Sequence, residues 1–289
     1  MIYGSSPWVQ RSWDVRAALN FSLGGTGSGM LLVLAFSDVG GDTALRGAIL
    51  LALALVAAGL AAVWLEIGRP ARAVHVLLNP FTSWMSRESL AAVVLLAVGA
   101  GAAATLRVEL LIASALAALA FVYCQGRILQ NGRGIPAWRE PTVTALIVVT
   151  ALAEGAGALV AVGALARAPM RVALAWCAFA VIARAWAWSA YRRRVTGTVP
   201  GPGLAVLDRV GAVLVAVGTL APLALLLAAA LVPPAATVAG VLAGLASLAA
   251  GWVFKIALVT RAAYNQGFAL PQLPVRGARG TFHRGEARP

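Results

Sequence analysis

Between residues 68 and 88 the chain gathers Arg69, Arg72, His75, Arg87 and Glu88, set among Gly68, Pro70, Asn79, Pro80 and Trp84, in a protein otherwise poor in ionisable groups. An imidazole and a carboxyl beside three guanidiniums can exchange protons with a substrate and hold its polar atoms. The two prolines forbid a continuous helix and Trp84 suits a lipid–water boundary, so the segment reads as a polar loop between apolar helices. Asn20, Glu66 and Tyr123 fall near the ends of their own apolar segments on the same side as this loop. Together they are a kit for binding a lipid-soluble substrate at one end of a helical bundle.

The elements that must position this kit are membrane spans. Of 289 residues, 61% are hydrophobic and 11% charged, with a mean hydropathy of +0.87, more apolar side chain than a soluble fold of this length could bury. The formal charge of +13 is scattered over short loops and the tail rather than gathered on an aromatic-laced face, which argues against nucleic-acid binding. Cys124 and Cys177 lie far apart inside apolar segments, so they read as small buried hydrophobes and make neither a disulfide framework nor a metal motif. No apolar run precedes the first long hydrophobic segment, so no cleavable signal is expected.

Eight stretches are long enough to cross a hydrocarbon core: residues 17–37, 45–66, 90–106, 109–129, 142–166, 170–191, 205–232 and 235–259. The expected fold is all-α, a polytopic bundle of eight transmembrane helices over residues 1–270, with an extended tail over 271–289. The third and fourth spans are separated only by Arg107, Val108 and Glu109 and predict a hairpin. An even number of spans places both termini on one face. That face carries 17 arginines, including Arg133, Arg139, Arg276 and Arg279, whereas the other carries Arg46, Arg107, Arg167 and Arg171. Positive-inside logic then puts both termini in the cytoplasm, and a basic face selected to dock an acidic partner subunit would produce the same bias.

Gly25 and Gly29 in the first span, and Gly240 and Gly244 in the last, have the small-xxx-small spacing that lets helix backbones approach. A phosphate-loop reading of residues 24–29 fails, because no strand precedes them and no Gly-Lys-Ser/Thr follows. Glu154, Arg184 and Lys255 lie inside spans and must face protein or water. For Glu154 and Arg184 a structural ion pair and a proton path are both open, while Lys255 is expected to snorkel. His75 in a loop and His283 in the tail cannot supply the axial ligands of a bilayer haem, so no haem is expected. Nucleotide motifs, voltage-sensor charge arrays and broken-helix repeats are not evident.

Gly68-Arg69-Pro70 followed by His75, Asn79-Pro80, Thr82-Ser83-Trp84 and Arg87-Glu88 resembles the signature of the membrane-anchor subunits of the dimethyl sulfoxide reductase group, within the NrfD and polysulfide reductase anchor superfamily. The stretches from Gly134 to Pro141 and from Asn265 to Gly277 are similar to anchors of cytoplasmic sulfite dehydrogenase and phenylacetyl-CoA:acceptor oxidoreductase. The resemblance covers nearly the whole chain.

It implies an anchor in the bacterial inner membrane that holds an iron–sulfur subunit and a molybdopterin catalytic subunit in a heterotrimer. Such an anchor exchanges electrons with ubiquinone or menaquinone, here reducing it with electrons from sulfite or a similar donor. By the same resemblance Asn20, Tyr123 and Glu88 are quinone-site residues. Anchors of this group can carry a histidine just before the Gly-x-Pro turn, where this chain has Glu66, a carboxyl able to relay protons. Quinone chemistry needs donors at the carbonyl oxygens and titratable groups reaching water, which Asn20, Glu66, His75, Arg87, Glu88 and Tyr123 could supply. Each has an ordinary role as well: Asn20 at helix-end backbone, Tyr123 in the aromatic belt, Glu88 as a helix cap. Arg133, Arg139, Arg276 and Arg279 are the docking candidates. The alternative of a different class is a secondary transporter with a midplane Glu154/Arg184 site.

Overall fold

A computed structural model of the chain describes residues 6–37, 39–66, 70–168 and 171–267, for residues 70–73 the backbone only. Eight helices among them are long and apolar enough to cross a membrane: α1 (Val15–Leu34), α2 (Asp42–Trp64), α3 (Trp84–Thr105), α4 (Val108–Gln130), α5 (Thr142–Ala166), α6 (Arg171–Val195), α7 (Gly201–Leu231) and α8 (Pro233–Thr260). The protein is all-α and membrane-embedded. The tail over 271–289, with Arg276 and Arg279, lies outside the described residues, as does Arg69.

The helices close into two rings of four. In the first, α1 packs on α2, α2 on α3, α3 on α4 and α4 back on α1; in the second, α5 to α8 do the same. The rings meet where α1 packs on α5 and α8, and α4 on α5. Short connections between antiparallel neighbours favour this up-and-down arrangement. The α3–α4 hairpin turns through Leu106, whose φ of 56° lets the last carbonyls of α3 be capped before Arg107 starts the next helix.

Because lipid is as apolar as a leucine side chain, close backbone contact rather than hydrophobic drive holds the rings together. A Cβ built on Gly29 would overlap the Ala151 carbonyl of α5, and one on Gly155 would overlap the Gly29 backbone. Gly244 and Gly157 face each other in the same way across α8 and α5. Backbone cannot yield as a side-chain tip can, so Gly155→Ala is expected to cost about 1–3 kcal/mol, read as a lowered melting temperature of the detergent-purified protein. Gly47→Ala is the control: its Cβ would meet nothing within 4 Å, and helix propensity predicts no loss.

The two ends of the described chain meet at one end of the bundle. Val9 bridges Tyr264, the Gln10 amide donates to the Ala263 carbonyl at 2.9 Å, and the Asn265 amide donates to the Trp8 carbonyl at 3.0 Å. Arg192 spans from α6 to Asp208 of α7 with bonds of 2.6 and 3.1 Å at this same end.

Candidate functional site

The start of α1 is built around Asp14, whose side chain caps the helix by accepting from the Arg16 amide at 2.7 Å. The Arg16 guanidinium, bonded to the same carboxyl, holds Asp14 below the usual carboxylate range. Arg16 also donates to the Leu65 carbonyl at 2.9 Å, and the Asp14 amide donates to Glu66 Oε1 at 3.3 Å. These bonds fix Glu66, just past the end of α2, beside the first turns of α1.

One step deeper, α1 relaxes from α to π geometry over Asn20–Gly24. Two carbonyls of this turn accept from side chains of other helices, the second of them in addition to the Gly25 amide. Gln125 Nε2 of α4 donates to the Asn20 carbonyl at 3.0 Å, and Lys255 Nζ of α8 donates to the Phe21 carbonyl at 2.8 Å. The Asn20 side chain, buried, donates through Nδ2 to Glu88 Oε1 of α3 at 2.9 Å. Asn20 Oδ1 and Gln125 Oε1 are buried with no hydrogen-bond partner among the described residues. Two acceptors therefore stay open beside a buried carboxyl.

Asn20, Glu66 and Glu88 line one narrow cavity of about 60 Å³, walled by Trp13, Phe21, Met85 and Ile128. It adjoins a wider cleft of about 390 Å³, with which it shares Trp13, Met85 and Ile128; Thr82, Ser83, Trp84, Asn131, Gly132 and Trp138 complete the cleft. Its aromatic walls are braced. Trp13 stacks on Trp138 with centroids 5.1 Å apart, and Trp138 Nε1 donates to the Leu258 carbonyl at 2.9 Å.

Glu88 sits on the helix rather than in the loop, because α3 starts at Trp84 and not near residue 90. The cap of α3 is Ser83, which accepts from the Ser86 amide at 3.3 Å, so capping does not explain Glu88. Tyr123 does not line the cavity: it lies 42% exposed, edge-on to Trp84. Gln125, two positions on and so on the opposite side of α4, takes the inward place. Gln125 was the residue to find, since an amide within an otherwise apolar span needs a polar partner.

His75 is exposed on a 3-10 turn, Pro70–Leu78, apart from the residues that line the cavity. Arg87 turns back to the Pro80 and Phe81 carbonyls at 2.7 and 2.8 Å, holding the loop end. Arg133 and Arg139 are exposed on the terminal face. With its amide oxygen turned inward, Gln266 accepts from Arg139 at 3.0 and 2.6 Å, so Arg139 also clasps the C-terminal segment.

The intramembrane charges pair differently from expectation. Lys255 does not snorkel. It is fully buried and bonds Glu154 Oε2 at 2.7 Å, with the Thr26 hydroxyl 3.2 Å from the same oxygen. Room for this pair comes from Gly25 and Gly251, where a Cβ would collide with Lys255 Nζ and with Glu154 respectively. Arg184 instead donates to the Ser247 carbonyl at 2.9 Å and to the Gly218 carbonyl, which a second π turn, Ala216–Leu220, makes available in α7. Glu154 lies roughly 18 Å along α5 from Thr142, near mid-membrane. Among the described residues no group of His, Cys, Asp and Glu is arranged to hold a metal ion. No protein-family model matches the chain and a search of curated proteins returns no match, so the family resemblance rests on the loop motifs alone.

Proposed function

We propose that the chain is the quinone-reactive membrane anchor of a molybdopterin and iron–sulfur oxidoreductase, with its quinone site at the end of the bundle that carries both termini. The observation that supports this most is the buried Asn20–Glu88 bond lining, with Glu66, a cavity that adjoins an aromatic-walled cleft. Conversion between quinone and quinol moves two electrons and two protons, the electrons coming from or going to the docked iron–sulfur subunit. The flat walls of Trp13, Trp84 and Trp138 suit a planar ring, and the cleft is large enough to admit one. Asn20 orients the Glu88 carboxyl. Glu88 exchanges a proton at a quinone oxygen, and Glu66, half-buried nearer the surface, passes it towards water.

Purification from native membranes tests the assignment. Co-purifying iron–sulfur and molybdenum subunits support it, and a lone chain rejects it. The transporter reading has the buried Glu154–Lys255 pair in its favour and predicts the lone chain. The terminal face is proposed to be cytoplasmic, on the arginine distribution: a reporter fused after Pro289 should work as a cytoplasmic marker, and alkaline phosphatase activity there would reverse the orientation. The exposed Arg133 and Arg139, with the tail, form the proposed docking face. Deleting residues 271–289 is expected to loosen the iron–sulfur subunit without unfolding the bundle, measured as subunit retention on washed membranes.

A further inference from the structure

Trp84, at the first turn of α3, has two guanidiniums over its indole: Arg87 Cζ lies 4.2 Å and Arg127 Cζ 4.7 Å from the ring centroid. Tyr123 closes the group, edge-on to Trp84 at 5.9 Å and 6.0 Å from Arg127. Ion pairs among the described residues include neither arginine. Arg127 Nε is buried with no hydrogen-bond partner, and Arg87 commits Nε and Nη2 to loop carbonyls, leaving Nη1 outside those bonds. Two positive groups are thus held side by side by cation–π contact, and neither forms an ion pair among the described residues.

The surface below them is apolar and continuous. Ile112, Leu116, Leu119 and Tyr123 are all exposed on α4, and Arg127 is the next residue on that stripe at helical spacing. A soluble anion would use the guanidiniums and leave the stripe bare. An acidic protein segment would have to enter the lipid-facing side of α4. A phospholipid uses both, with its phosphate on the arginines and an acyl chain along the stripe.

We propose that Arg87, Trp84 and Arg127 form a binding site for the phosphate of an anionic glycerophospholipid, whose acyl chain lies along Ile112, Leu116, Leu119 and Tyr123. The planar fork of arginine matches phosphate oxygens, and basic pockets at helix ends are suited to anionic headgroups. The site shares Trp84 with the cleft proposed for the quinone but uses the two arginines and the exposed stripe of α4, and its test reads lipid binding rather than quinone turnover.

Native mass spectrometry of the detergent-purified full chain, mixed with equal phosphatidylglycerol and phosphatidylcholine of the same acyl composition, tests it. The wild type should hold one phosphatidylglycerol in preference, by on the order of tenfold. Arg127→Gln, which breaks no side-chain hydrogen bond among the described residues, should abolish the preference. The double change Arg193→Gln and Arg194→Gln, basic residues at the same end of the bundle, should leave it intact. Preference kept by Arg127→Gln, or lost equally in the double variant, overturns the site. Displacement of the lipid by glycerol phosphate would make it a soluble-phosphate site and also overturns the proposal. Should Arg127→Gln fail to fold, Arg127→Lys keeps the charge without the fork and should cut the preference severalfold; no cut overturns it.

Discussion

On the proposed quinone-anchor reading, Glu88→Gln is expected to lower quinone-linked turnover of the assembled complex by roughly a hundredfold or more, while the soluble subunits of the proposed partner enzyme still reduce or oxidise an artificial dye. The substitution keeps the oxygen that accepts from Asn20 Nδ2 and nearly the same volume, so packing in the cavity is preserved. What it removes is the one proton the carboxyl can carry. Turnover unchanged in an assembled complex would reject Glu88 as the proton-exchanging group. Loss of both activities together would mean that the Asn20–Glu88 bond serves assembly of the first ring. Glu66→Gln should have a smaller effect of the same kind, because water can replace a relay near the surface.

Lys255→Met is expected to be the most damaging single change to the bundle. It strands Glu154 as an unpaired buried carboxylate and leaves the Phe21 carbonyl with the Gly25 amide as its donor. Breaking a buried pair from one side costs about 3–5 kcal/mol, enough to deplete folded protein from the membrane. Combining it with Glu154→Gln removes both charges and should restore most of the loss, since neutralised pairs of similar volume are often tolerated. Membrane abundance and melting temperature of the two singles and the double form a cycle that isolates the pairing energy. Equal damage in the double variant would show that Lys255 matters through the Phe21 carbonyl rather than through Glu154.

The spans were legible because hydropathy is a local property and each helix carries its own apolar run. Their ends were less so. Helix α6 continues to Val195, beyond residue 191, because the arginines at 192–194 extend towards water and Arg192 finds Asp208. Helix α3 begins at Trp84, several residues before the apolar run, because Ser83 caps it. Asn20, Glu66 and Glu88 could be singled out by residue type alone. Their convergence could not be read, nor could the place of Gln125, because it is set by which side of α4 turns inward. The partner of Lys255 was hidden for a similar reason. Gly251 lies one turn before Lys255, but nothing local reveals that it and Gly25 of α1 open a space for Glu154 on a third helix. The division into two rings is likewise a matter of packing between segments far apart in sequence.

The π turn in α1 amounts to one residue more than a regular helix would need over the same rise, so the two halves of this span are indexed independently. Up to its first residue, Ala17 and Asn20 are phased to the cavity; after it, Thr26 and Gly29 are phased to α5, with Thr26 bonded to Glu154 and Gly29 against Ala151. Were the same residues to take up regular α geometry, one half would turn against the other by roughly 100°, the rotation of one residue. The downstream half is locked by backbone contact, so the upstream half would rotate and carry Asn20 away from Glu88. The π geometry of this one turn is therefore as tightly specified as the identity of any side chain in it.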